Sequence, residues 1–177
     1  PYDEKSLIND KTRSLLIDDS GIIFVGTYSG ISVFNPNSNF YYFKSRPYDI
    51  NGLSGDVING LYKDNDKTLW VGTNENGVNI INGENVKHLN TQNSEIISDS
   101  IHDITGFDNS VFIGTNEGLS VVEKNINNSY TITNYVEEDG LPSNKVRSLF
   151  VDSKGYLWIG TNKGISVLDI KNKKITN

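Results

Sequence analysis

A tetrad of an aromatic residue, a branched aliphatic residue, glycine and threonine occurs four times: Phe24-Val25-Gly26-Thr27, Trp70-Val71-Gly72-Thr73, Phe112-Ile113-Gly114-Thr115 and Trp158-Ile159-Gly160-Thr161. Its glycines are 46, 42 and 46 residues apart. A period of this size marks a stacked supersecondary unit, which cannot bury its apolar face alone. Three or four residues after each Gly-Thr pair another glycine (Gly30, Gly77, Gly118, Gly164) opens a short apolar run. A further run precedes each tetrad, at 14–17, 57–62, 101–105 and 146–151, and a last one follows, at 40–43, 86–89, 130–135 and 174–176. The connections are short and rich in Gly, Asn and Asp, the chemistry of tight antiparallel reversals. Four strands in each of four units predict an all-β fold, a β-propeller of four four-stranded antiparallel blades. Only 95–104, with loosely spaced isoleucines, resembles a helix, and the repeat register assigns it to a loop and a first strand.

The whole chain, 1–177, reads as one propeller region. Residues 1–11 are a polar lead-in, and blades span 12–45, 46–89, 90–135 and 136–177. Length variation falls in loops, at the Pro47 connection and the Asn-rich 124–129 insertion, as a repeat array allows. The chain has no methionine and begins at Pro1, which points to a mature secreted chain or a piece of a longer one. The fourth unit stops within its last strand, which favours the piece. Four blades of a larger propeller would form an arc with two open edges. These need cover from a second arc, from other blades of the parent chain, or from each other.

Charge narrows the partners. With 16 Lys+Arg against 22 Asp+Glu the formal charge is −6, and no basic face for nucleic-acid phosphates is expected. The basic 171–174 tail is a solvated terminus. There is no cysteine for a disulfide framework. No apolar run reaches the roughly 20 residues of a membrane span, so this segment makes no membrane contact.

Residues 140–149, followed by 152–161 and 164–166, are similar to the two-component regulator propeller repeat. The resemblance covers all four units and is strongest in blade four and in 69–77. Blade one departs with Phe24 and Tyr28-Ser29, and blade three with Phe112 and with Asp108-Asn109 in place of a turn glycine. The resemblance implies an extracytoplasmic, periplasmic sensor region of a membrane-anchored receptor, of a bacterial hybrid two-component system or a propeller-containing cyclase. The matching positions are structural ones, so it transfers no binding residue.

Several features invite a catalytic or metal reading and do not sustain it. The turns at Asp18-Asp19, Asp64-Asn65-Asp66 and Asp152-Ser153 lack calcium-loop spacing and read as Asx turns. Gly72 to Gly77 lacks the lysine and hydroxyl of a phosphate loop. Gly52-Leu53-Ser54-Gly55 is one residue short of a nucleophile elbow. His88 falls in an outer strand and His102 at the head of an inner one, where a hydrogen-bonded structural role is expected. No catalytic residue, metal or cofactor is assigned. The tetrad aromatic is expected to pack between blades, with the glycine two residues later making room for the next blade's ring.

What remains is the rim carrying the loops between second and third strands and between blades. It offers Tyr28, Asn74, Glu75, Asn76, Asn116, Glu117, Asn162 and Lys163, with Arg46, Tyr48 and Asp49 from the first inter-blade connection. Amides, carboxylates and an exposed tyrosine suit a polyhydroxylated ligand. The expected function is therefore a non-enzymatic ligand-sensing propeller, with an oligosaccharide implied by the resemblance. The alternative is a protein-interaction or dimerisation platform. A lyase-like propeller enzyme is a third class, disfavoured because His and acidic residues do not cluster in one loop set.

Overall fold

The computed structural model describes residues 6–35, 41–45, 49, 51–127 and 129–176. Strands β1 (Thr12–Ile17), β2 (Ile23–Thr27), β3 (Gly30–Phe34) and β4 (Tyr41–Phe43) form the first sheet. The second holds β5 (Ile58–Lys63), β6 (Leu69–Thr73), β7 (Val78–Asn82) and β8 (Asn85–Leu89). The third holds β9 (Ile101–Phe107), β10 (Ser110–Thr115), β11 (Leu119–Lys124) and β12 (Tyr130–Tyr135). In the fourth are β13 (Val146–Val151), β14 (Tyr156–Thr161), β15 (Gly164–Asp169) and β16 (Lys174–Thr176). Each sheet is an antiparallel meander in chain order, so the four predicted blades are present. The isoleucines at 95–104 lie in a loop and in β9. A single 3-10 turn, Glu137–Asp139, interrupts the last inter-blade loop.

The repeated polar residues hold the turns. Asp18 Oδ1 accepts from the backbone N–H of Ser20 and Ile22, and Asp152 Oδ1 from those of Lys154 and Tyr156. The other carboxylate oxygen of Asp64 and of Asp152 accepts from the indole of Trp70 and Trp158. Blade one has Phe24 in place of tryptophan, and there Lys63 of blade two donates to Asp18 at 2.6 Å. At the other end of the blade each tetrad threonine donates to the carbonyl of the glycine opening the next strand, Thr73 to Gly77 at 2.8 Å. It also accepts a turn N–H, that of Asn76 for Thr73. Gly77 has φ +71, and a Cβ there would stand 2.2 Å from the Leu89 carbonyl, so only glycine fits.

Alternate residues of a strand face opposite sides of its sheet. Leu69 and Val71 therefore turn to blade one, while Trp70 and Gly72 turn to blade three. Three buried clusters result, one between each successive pair of blades. An inter-blade loop residue closes each of them: Leu53, Ile96 and Leu141. The tetrad glycine does make room, but for an aliphatic side chain rather than a ring. A Cβ on Gly26, Gly72 or Gly114 would meet Ile58, Ile101 or Val146, the first inward residue of the next blade. A ring cannot enter, because the first strands approach so closely that a Cβ on Gly60 would lie 2.9 Å from the backbone of Ile104.

Among the described residues no such cluster joins blade four to blade one. Ile31, Val78 and Leu119 are 0% exposed, while Ile165 at the same position of blade four is 63% exposed. Trp70 is 1% exposed and Trp158 44%. On blade one Leu15 and Ile17 are open at 65% and 59%. The molecule is an arc with an apolar sheet face at each end.

Candidate functional site

The inner strands share an irregularity. Thr12 pairs with Thr27 but Ser14 with Gly26, leaving Arg13 as an extra residue. The register repeats this with Ile58 and Gly60, with Ile101 and Asp103, and with Val146 and Ser148. The extra residues are thus Asn59, His102 and Arg147. A β-bulge re-aims the side chain it inserts. Because the first strands of neighbouring blades lie against one another, they are the strands nearest the propeller axis. All four bulges sit at the end of those strands beside the loops that join second to third strands.

A continuous polar strip follows. Arg13 donates from Nε to Asn59 Oδ1 at 3.0 Å, and Asn59 donates in turn to the Ile101 carbonyl at 2.8 Å and to Asn74 Oδ1 at 3.2 Å. Arg147 donates from Nε to Asn162 Oδ1 at 2.8 Å. Its other arm, NH1, lies 2.8 Å from His102 Nε2, which is also 2.8 Å from Asn116 Oδ1. Nε2 has either a lone pair or a proton, so it accepts from Arg147 or donates to Asn116, not both. Asn116 is fixed by a second bond to Ser100 Oγ at 2.9 Å. Beneath this strip the half-buried Asp103 accepts from the N–H of Leu149 on the neighbouring blade at 2.8 Å. Burial pushes its carboxyl above the usual carboxylate range, against the pull of the N–H groups of Leu149 and Ile104.

The predicted rim residues divide. Tyr28, Asn74, Asn116 and Asn162 hold one equivalent position, each facing the bulge residue of its own blade. Tyr28 carries Arg13 over its ring at 4.9 Å and Lys11 at 5.6 Å, so it presents bound cations where a bare aromatic face was expected. Glu75, Asn76, Glu117 and Lys163 are exposed at the loop tips. Lys163 pairs with Glu137 at 3.4 Å. Arg46 and Tyr48 lie outside the described residues, and Asp49 closes its own turn by accepting from Asn51. His88 is on the outer strand and bonds the Gly52 carbonyl at 3.0 Å. Sequence reasoning named the loop amides and missed three of the four bulge residues. Asn59 and Arg147 each stand between an inward aliphatic and a small residue, in Ile58-Asn59-Gly60 and Val146-Arg147-Ser148, a pattern that Thr12-Arg13-Ser14 does not share.

A concavity of about 990 Å³ lies on the opposite face between the hairpins of blades three and four. Within it Asp169 accepts from the Asn172 amide, and Lys173 pairs with Glu123 at 2.9 Å. The rim strip, whose arginines have no carboxylate partner among the described residues, is the better candidate.

Comparison with known proteins gives a consistent picture. The two component regulator propeller family matches residues 52–75 and 140–163. Over 171 residues the chain is 30% identical to histidine kinase P4 of Formosa agariphila, covering 90% of this chain but 12% of that protein. The extracellular domain of the putative hybrid two component system BT3049 from B. thetaiotaomicron superposes with a TM-score of 0.84 at 22% identity, over 98% of this chain and 24% of that one. Virginiamycin B lyase from Staphylococcus aureus superposes with a TM-score of 0.72 at 14% identity, over 97% of this chain and 57% of the lyase. At such identities the two solved structures establish the shared fold. No helix among the described residues is long and apolar enough to cross a membrane.

Proposed function

The chain belongs to the two-component regulator propeller family, and on that premise we propose that it is a ligand-sensing section of an extracytoplasmic, periplasmic signalling receptor that recognises an oligosaccharide. The observation that carries this reading is the amide-rich strip at the rim. Asn59 is held by blades one and three, and Asn74, Asn116 and Asn162 by residues of their own blades, so their donors and acceptors are fixed as recognition of hydroxyl positions requires. Because Asn59 and His102 contact more than one blade, a ligand bound there alters how blades pack. That change is the input to a kinase, cyclase or DNA-binding output elsewhere in the receptor. The reading is non-enzymatic: His102 is flanked by a guanidinium and an amide, and none of its described hydrogen-bond partners is a carboxylate that would orient it as a base.

Isothermal titration of the chain against a panel of plant and algal oligosaccharides tests this reading. Binding of one class that is lost in Asn116→Ala and Asn59→Ala, with the sugar recovered unchanged, is the expected result. Consumption of the sugar would instead make the chain an enzyme, and binding unaffected by either substitution would move the site elsewhere. One observation favours a second reading as an interaction platform. The exposed Trp158, Ile165, Leu15 and Ile17 faces are built like the interfaces buried between blades.

A further inference from the structure

The two described arginines stand out in a chain whose acidic residues exceed its basic ones by 22 to 16. Among the described residues every ion pair is made by a lysine: Lys63, Lys67, Lys124, Lys163 and Lys173. Arg13 and Arg147 make none. Each instead gives its Nε to an amide oxygen, Asn59 or Asn162. Anchored through Nε, Arg13 keeps both terminal nitrogens and Arg147 keeps NH2 beside an NH1 that faces His102 Nε2 at 2.8 Å; guanidinium N–H groups so placed suit a carboxylate or sulfate. The anchors are neutral, so the positive charge is oriented without being cancelled.

Position reinforces this. Arg13 and Arg147 occupy the same bulge in different blades, and His102 occupies it in the blade between Asn59 and Arg147. The insertion that turns these side chains out of the regular alternation therefore recurs with a cationic or protonatable residue in three blades out of four. Asp103 does not neutralise the strip: it sits one residue beyond the bulge with its oxygens committed to backbone N–H groups of Leu149 and Ile104.

We infer that the rim strip takes an acidic oligosaccharide, with a carboxylate or sulfate group held by the Arg147–His102 pair and a second anionic or hydroxyl group by Arg13 beside Tyr28. The inference rests on the saccharide reading of the same rim and adds the charge of the ligand. Losing a charge-assisted bond of this kind weakens binding by roughly 10- to 100-fold.

The test is titration calorimetry of the 177-residue chain with trigalacturonate, a sulfated galactotriose and neutral galactotriose, at low and raised sodium chloride. Tighter binding of an acidic sugar, weakened by salt and lost in Arg147→Gln with an unchanged melting temperature, is expected. Arg13→Gln should weaken it less. Whichever acidic sugar binds identifies the anion as carboxylate or sulfate. Equal binding of the neutral sugar, unchanged in Arg147→Gln, overturns the inference while leaving the saccharide reading intact. Binding of none of the three sugars overturns the acidic ligand, and the wider neutral panel then decides the saccharide reading on its own.

Discussion

Equivalent residues in this chain do unequal work, and glycine shows it most clearly. A Cβ on Gly72 would lie 2.5 Å from Ile101 and 3.0 Å from Ile104, both immobilised between blades. Gly72→Ala should therefore destabilise the fold by about 1–3 kcal/mol, the usual penalty for an overfilled core. The same change at Gly160 meets only the hydroxyl of Ser148, an exposed side chain that can turn away. Gly160→Ala should stay within about 0.5 kcal/mol of wild type, helped by a stiffer unfolded chain. Urea melts of the two variants compare them directly. Asp103 gives a second residue-scale prediction. Burial raises its native pKa above the unfolded value. Its contribution is thus fully present below the unfolded pKa and lost as pH rises through the native one. Relative to Asp103→Asn, the wild-type chain should be most stable at about pH 3.5 and lose that advantage towards about pH 7, as carboxylate linkage requires. A constant difference across that range would mean that the carboxyl is not desolvated.

Elements are joined by buried polar residues as well as by aliphatic ones. Ser32, Asn79 and Ser120, each 0% exposed on a third strand, accept an N–H from the loop that enters their own blade. These donors are Ile8, Ser54 and Ile97. Ser120 also donates to Asn134 at 2.7 Å. Ser120→Ala should leave the Ile97 N–H unpaired in a partly buried place and cost about 1–3 kcal/mol. Its signature is local, with faster hydrogen exchange over 90–100 than over β10. Unchanged exchange there would show that the loop is held by Ile96 alone. The strands and hairpins were legible because Gly-Thr and Asp recur wherever a turn needs them. The glycine notch was half legible: alternation places Gly72 on the face of Trp70, but the identity of its filler depends on how closely blades approach. The bulge residues were not legible. An extra residue in a strand is defined by the register of its partner, and Arg13 or Asn59 reads from the sequence as an ordinary alternating position. The burial of Asp103 has the same origin, since Ser14, Gly60 and Ser148 stand at that position elsewhere.

At the scale of the whole arc, the two end faces are halves of one interface that the chain builds three times internally. Blade four presents a notch at Gly160 that no neighbouring blade fills, flanked by Phe150, Trp158 and Ile165, which are 65%, 44% and 63% exposed. Blade one presents Thr12, β-branched like Ile58, Ile101 and Val146, at the register position that fills the notch. Beside it, Leu15 corresponds to Leu61 and Ile104, which are 8% and 3% exposed within the arc. Exposed apolar area of this kind, with complementary shape, drives association. The isolated chain should therefore self-associate head to tail at tens of micromolar, order-of-magnitude values for a transient apolar contact. Size exclusion with light scattering reads this as a mass above the 19.7 kDa of one chain. Trp158→Lys and Leu15→Lys should each weaken association, from opposite ends. Because the contact joins unlike faces, each charged variant keeps one usable face. Mixing the two should restore a one-to-one pair through the intact blade-four face of one and the intact blade-one face of the other. A mixture that stays monomeric, or single variants that associate as the wild type does, would place the contact elsewhere on the arc.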